Sequence, residues 1–155
     1  MAKFKFIFVC LCWSPLLFGV SATRSNTEHQ GRSNTGVALV ENNGTEFFSN
    51  PASTASYQTY VVGIDYAFGV HSGLVVSAID SKSSAVKAGF SYSNIFEQEM
   101  AVNMSYPIFK SLALGITGFR ELESKHTNVD GGALFYVGRY LSFGTNIKNV
   151  YSNIK

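Results

Sequence analysis

The stretch Tyr60-Val61-Val62-Gly63-Ile64-Asp65-Tyr66-Ala67-Phe68 decides the fold. Tyr60, Val62, Ile64, Tyr66 and Phe68 alternate with Val61, Gly63, Asp65 and Ala67. Large apolar residues therefore fall on one face of an extended chain, and small or charged ones on the other. The same period of two returns downstream. Val86, Ala88, Phe90 and Tyr92 alternate with Lys87, Gly89, Ser91 and Ser93. Met100, Val102, Met104 and Tyr106 alternate with Ala101, Asn103 and Ser105. Leu112, Leu114 and Ile116 alternate with Ala113, Gly115 and Thr117, and Leu141, Phe143, Thr145 and Ile147 with Ser142, Gly144, Asn146 and Lys148. Two less regular runs, Leu74 to Ile79 and Gly132 to Tyr140, bring the expectation to about seven strands between Tyr57 and Val150. The stretches between them are short and polar: Gly69 to Gly73, Asp80 to Ser84, Asn94 to Gln98 and Phe109 to Ser111. Connections this short suit an all-β, antiparallel up-and-down meander and leave no room for crossover helices.

Upstream of the strands the chain changes character three times. Residues 1–22 (MAKFKFIFVCLCWSPLLFGVSA) combine a basic start at Lys3 and Lys5, an apolar middle and a small-residue end at Val20-Ser21-Ala22. This is the pattern of a cleavable secretory signal peptide. Residues 23–35 (TRSNTEHQGRSNT) are polar without periodicity and read as a mobile leader. Residues 36–56 begin with an apolar patch, turn at Asn42-Asn43-Gly44 and reach the aromatic pair Phe47-Phe48, followed by Asn50-Pro51-Ala52. Pro51 holds Asn50 out of the helical region and suits the first position of a short turn of helix through Ala55, with Asn50 as its cap. Residues 57–155 carry the strands.

Removing 22 of 155 residues leaves 133, and both cysteines (Cys10, Cys12) and Trp13 go with the signal. Without cysteine there is no disulfide framework and no thiolate zinc site. Neither cysteine lies in a lipidation-like context. The remaining chain balances 10 Lys and Arg against 10 Asp and Glu, and it has no basic run, which argues against a nucleic-acid partner. No stretch after residue 22 approaches the 18 or so consecutive apolar residues of a membrane helix.

Two β architectures remain, and the second face of the strands separates them. A soluble sandwich hides its apolar face and shows charge on the other. Here that other face carries Gly, Ser, Ala, Asn and isolated charges. In a membrane barrel the apolar residues face lipid and the small and polar ones line the lumen. Tyr57, Tyr60, Phe68, Tyr92, Tyr106, Phe109, Phe119 and Tyr140 sit near strand ends, where interfacial aromatic girdles occur. The sequence therefore favours an outer-membrane β-barrel, with a soluble exported β-barrel binding a hydrophobic ligand as the alternative. A small structural or adhesive outer-membrane barrel is a third reading.

Two segments resemble a known family. Gly36 to Ala55 (GVALVENNGTEFFSNPASTA) resembles the N-terminal segment of FadL/PorV-like outer-membrane barrels, which ends in Asn-Pro-Ala just before the first strand. Val129 to Val150 (VDGGALFYVGRYLSFGTNIKNV) resembles a mid-barrel hairpin of the same superfamily. The resemblance implies a large antiparallel barrel with its N-terminal segment tucked inside as a hatch. It also implies a transport-like role for hydrophobic compounds, or a secretion-linked role as an attachment or shuttle component. The implied location is the cell outer membrane, and the implied partners are outer-membrane lipid with hydrophobic small molecules or a secretion-system component. Family members have about twice as many strands, and single-chain bacterial barrels have an even number. The end at Ser152-Asn153-Ile154-Lys155 also lacks the usual terminal aromatic. The expectation is thus the first half of a barrel, whose two unpaired edges lipid would not tolerate. A closed eight-stranded barrel is the alternative if a further strand lies in Gly36 to Phe48 or Glu121 to Asn128.

No catalytic constellation, cofactor motif or metal cluster emerges. His29, His71 and His126 are far apart. Asp130-Gly131-Gly132 lacks the alternating carboxylates of a calcium loop and reads as a strand start. Asp65, Lys87, Asn103 and Lys148 fall on the small-residue face and are the candidate lumen-facing polar groups. Arg139 fits neither face. Asn43-Gly44-Thr45 and Asn103-Met104-Ser105 match glycosylation acceptors, which matter only in a eukaryotic setting. The candidate site is Asn50-Pro51-Ala52, the turn leading the hatch to the first strand. The hatch, Thr35 to Thr54, is expected on the concave side of the sheet, burying Val37, Leu39, Phe47 and Phe48.

Overall fold

The computed structural model of the protein describes residues 46–56, 58–68, 72–138 and 141–153. The signal and leader segments, Val37, Leu39, the Asn42-Asn43-Gly44 turn and its acceptor pattern, Tyr57, His29, His71, Arg139 and Tyr140 lie outside them. Seven strands form one antiparallel sheet in sequence order. They are β1 (Tyr60–Ala67), β2 (Gly73–Asp80), β3 (Lys87–Ser93), β4 (Glu99–Phe109), β5 (Leu112–Glu121), β6 (Thr127–Val137) and β7 (Leu141–Ser152). β1 and β7 each have one neighbour, so the described sheet is open. Two short 3-10 turns, Glu46–Phe48 and Ser53–Ser56, precede it.

Alternation in the sequence becomes two unlike faces. Register pairs Asn103 with Thr117 and Ser105 with Gly115. On the next strand pair, Gly115 meets Gly132 and Thr117 meets Asp130. These residues share one face with Ser77, Ser91, Ala101 and Leu134. Residues 46–56 lie across this covered face. The opposite, bare face carries Val62 (75% exposed), Ile64 (72%), Val102, Met104, Leu114, Ile116, Phe143 and Ile147, all exposed. At the register-paired positions its only charged residues are Asp80 and Arg120, each at or next to the end of its strand.

Several local features have physical causes in particular residues. Pro107 has no N–H to give the ladder, and the β4–β5 register shifts between Pro107 and Phe109. The connection that follows is only Lys110-Ser111. Gly138 opens the β6–β7 turn at φ 67°, a left-handed conformation that a side chain would strain. β6 begins at Thr127, not near Gly132, so Asp130 lies inside a strand rather than at its start. Between Val129 and Gly131 the pairing with β7 jumps from Tyr151 to Ile147. The extra β7 residues include Asn149 at φ 56°, whose N–H donates to Asp130 Oδ1 at 2.8 Å. Asp130 thereby holds an irregularity that alternation alone does not reveal. Glu121 to Asn128 forms the β5–β6 turn and the start of β6, not an eighth strand. In that turn His126 Nδ1 lies 3.3 Å from Glu121 Oε2.

Phe119 also departs from the girdle expectation. It lies near the end of β5 but on the covered face, 2% exposed, against Phe48. Its parity with Thr117 and Gly115 assigns it there, and its size alone suggested the other face.

Candidate functional site: a polar cradle around Asn50-Pro51-Ala52

The segment Glu46–Ser56 is too short to have a core of its own, so its apolar residues must borrow one. Phe47 and Phe48 stack with their centroids 4.8 Å apart and pack with Ile79, Ala101 and Phe119, flanked by Val61. Gly89 leaves the space that the Phe47 ring occupies: a Cβ there would sit 3.2 Å from two ring carbons. Transfer of two Phe side chains contributes on the order of 3–6 kcal/mol. A second small cluster joins Ala52 to Ala113 and Leu134, with Ala55 and Tyr136 alongside.

Between these apolar contacts the segment makes two tight turns, and Asn50 builds the second. Its Oδ1 accepts from the Ala52 N–H at 3.0 Å, closing a turn two residues on. Its carbonyl accepts from the Ser53 N–H at 3.0 Å and from Ser53 Oγ at 2.6 Å. Asn50 thus caps the 3-10 turn at Ser53–Ser56, with Pro51 fixing the backbone between. Its remaining amide reaches the sheet, donating from Nδ2 to the Ala133 carbonyl at 3.0 Å.

The sheet in turn grips the segment by its backbone. Asn146 Nδ2 on β7 donates to the Ser49 carbonyl at 2.7 Å. Asn103 Nδ2 on β4 donates to the Pro51 carbonyl at 2.9 Å. Ser81 Oγ, just beyond β2, donates to the Thr54 carbonyl at 2.8 Å. Three carbonyls that no regular ladder serves are therefore satisfied from three different places in the sheet. Leaving any of them dry and unpaired would cost about 1–3 kcal/mol.

Asn103 is the hub of this arrangement, with no exposed surface. Besides Pro51, its amide reaches Thr117 Oγ1 at 2.9 Å and the Ile116 carbonyl at 3.2 Å. Its Oδ1 accepts from Thr54 Oγ1 at 2.7 Å, and Thr54 also hydrogen-bonds Ser105 Oγ. An amide so enclosed leaves no space for a sugar, so Asn103-Met104-Ser105 is not a usable acceptor in the folded sheet. Ser56 Oγ and Tyr136 OH join the far end of the segment to β6.

Two glycines make the close approach possible. A Cβ on Gly115 would lie 2.1 Å from the Pro51 carbonyl oxygen, and one on Gly132 would lie 2.1 Å from Asn50 Oδ1. Gly115 and Gly132 are directly paired across β5 and β6. They form a gap in the side-chain layer, and the Asn50-Pro51 peptide sits in it.

Of the polar candidates on the small-residue face, Asn103 is the one whose described hydrogen bonds build this cradle. Asp65 is half-buried on β1. Lys87 is 6% exposed and its Nζ donates to the Ser84 carbonyl at 2.7 Å, tying down the β2–β3 connection. Lys148 is exposed within the β7 irregularity. Gly115, Gly132, Thr54, Ser105, Thr117, Ser81, Asn146 and Tyr136 are the cradle residues that sequence reasoning did not single out. Among the described residues no group of three or more His, Cys, Asp or Glu could hold a metal ion. The cradle holds and positions a peptide segment through hydroxyl and amide groups of the sheet. Comparison of the chain with protein-family models, with curated proteins and with solved structures found no match.

Proposed function

We propose that the chain forms part of an outer-membrane β-barrel of the FadL/PorV-like kind. In this reading residues 46–56 act as a hatch against the lumen face, and the barrel has a transport-like or secretion-linked role without enzymatic activity. The observation that carries the reading is the inverted distribution of polarity. Among the described, register-paired positions the bare face is a broad apolar surface with charge only at Asp80 and Arg120, at or next to strand ends. The covered face buries Asn103, Thr117, Ser77, Ser91, Ser105 and Asp130. A water-soluble sheet packs its large apolar residues inward, and lipid reverses the preference. Strands β4 to β7, 10 to 12 residues long, match the roughly 9–11 residues that cross a bilayer. Tyr66 and Phe68 at one end, and Tyr106 and Phe109 at the other, suit interfacial girdles.

Fractionation of cells expressing the full chain tests this reading. The processed protein should partition with the outer membrane and dissolve only in detergent. Recovery as a monomer in the periplasmic supernatant would favour the soluble exported barrel instead.

A further inference from the structure

The antiparallel order places Tyr60, Asp80, Lys87, Phe109, Leu112, Val137 and Leu141 at one end of the sheet, the first end. The two ends differ in charge. At the first end the described charged residues are Lys82, Lys87 and Lys110 against Asp80. At the second they are Glu97, Glu99, Glu121 and Glu123 against Arg120 and Lys125, with His126 beside Glu121. Asp80 is engaged in its own turn, its Oδ1 accepting the N–H groups of Lys82 and Ser83 at 3.0 and 2.8 Å. Lys87 is buried on the Ser84 carbonyl. Among the described residues, Lys82 and Lys110 are the exposed cations that remain at this end.

Lys82 stands beside an exposed aromatic ring, and Lys110 directly follows one in the chain. Lys82 Nζ lies 6.0 Å from the centroid of the Tyr60 ring, and Tyr60 OH hydrogen-bonds Ser83 Oγ at 2.6 Å. Lys110 follows Phe109, 67% exposed, in the shortest connection of the sheet. A ring at the edge of the hydrocarbon with a flexible ammonium just beyond it matches the depth profile of a leaflet, in which acyl chains give way to headgroups.

We propose that the first end of the sheet, through Lys82 and Lys110, docks on the headgroups of anionic phospholipids, and that the acidic second end faces the opposite leaflet. This rests on the membrane placement proposed above. The partner is a lipid surface bearing phosphodiester monoanions, chosen by charge complementarity. Tyr60 and Phe109 set the depth, and the two lysines supply the preference for anionic over zwitterionic lipid. Each lysine close to such a surface contributes a factor of about five in partitioning.

The full chain, diluted from denaturant at low salt into vesicles, tests the proposal by flotation. One set is phosphatidylcholine alone and the other contains about one third phosphatidylglycerol. The wild-type chain should float preferentially with the anionic set. The K82Q/K110Q double variant should lose that preference by on the order of 25-fold, and K82R/K110R should retain it. E97Q/E123Q, at the second end, should leave it unchanged. Equal flotation with both vesicle types, or a preference that survives K82Q/K110Q, overturns the lipid assignment while leaving the membrane reading in place. Flotation with neither vesicle type overturns both.

Discussion

The two faces of the sheet are made from the same strands and follow opposite rules. On the bare face, side chains are large, apolar and exposed, and they make few specific contacts. On the covered face they are small or polar and buried, and nearly every one around Asn50-Pro51-Ala52 has a defined partner. The difference teaches that the small-residue face is not simply wet. Where residues 46–56 cross it, it is a packed interface, and a substitution there meets a neighbour rather than solvent.

Four experiments sharpen or break that contrast, beginning with the largest expected effect. Gly115→Val places atoms where the Pro51 carbonyl now lies. It should displace the segment at a cost on the order of 3–6 kcal/mol, the worth of the Phe47 and Phe48 burial. Limited proteolysis and hydrogen exchange at the Ser49, Asn50 and Ala52 amides should show residues 46–56 released; unchanged protection would mean that the gap is not needed.

Val102→Arg tests the bare face. At the midplane of a bilayer it should cost about 2–4 kcal/mol in refolding titrations into vesicles. Gly63→Arg, on the covered face but away from the Gly115–Gly132 gap, should cost less. The reverse ranking would make the bare face a packed interior and defeat the membrane reading.

Asn103→Ala removes the hub and strands the Pro51 carbonyl. A loss of about 1–3 kcal/mol is expected. Combined with Thr54→Val it should be non-additive, because both changes break the same 2.7 Å hydrogen bond; strict additivity in a double-mutant cycle would show that the two residues do not communicate. The smallest effect belongs to Ser56→Ala. The Tyr136 hydroxyl loses one partner at a half-exposed site, which should cost about 0.5–1.5 kcal/mol. A larger loss in chemical denaturation would move the main anchor of the segment to its Ser56 end.

Much of the sheet was legible because period-two alternation is a local property. Val62, Ile64, Val102 and Leu114 declare their face from their neighbours alone. The start of β6 was not legible: Thr127 to Gly131 has no clear alternation, and Asp130 reads as the first residue of a strand until its bond to the Asn149 N–H places it inside one. The cradle was only half legible. Asn50 and Pro51 announce a turn through their own chemistry, but Gly115, Gly132, Thr117 and Asn146 resemble any other small residues on that face. Their meaning depends on contacts such as Asn103 to Pro51, 52 positions apart, which no local pattern encodes. Phe119 shows the same limit from the other side. Its aromatic character pointed outward and its parity pointed inward, and parity prevailed.

An odd number of antiparallel strands has a consequence for any seam that joins the two edges. β1 and β7 run in the same direction. A second copy turned about an axis along the strands would bring β7 beside the other β1 as parallel neighbours, with slanted and weaker ladders. Antiparallel seams at both edges require an odd number of strands between β7 and β1. The direction of the two edges therefore makes the handing of hydrogen bonds across the gap a question of parity before it is one of sequence.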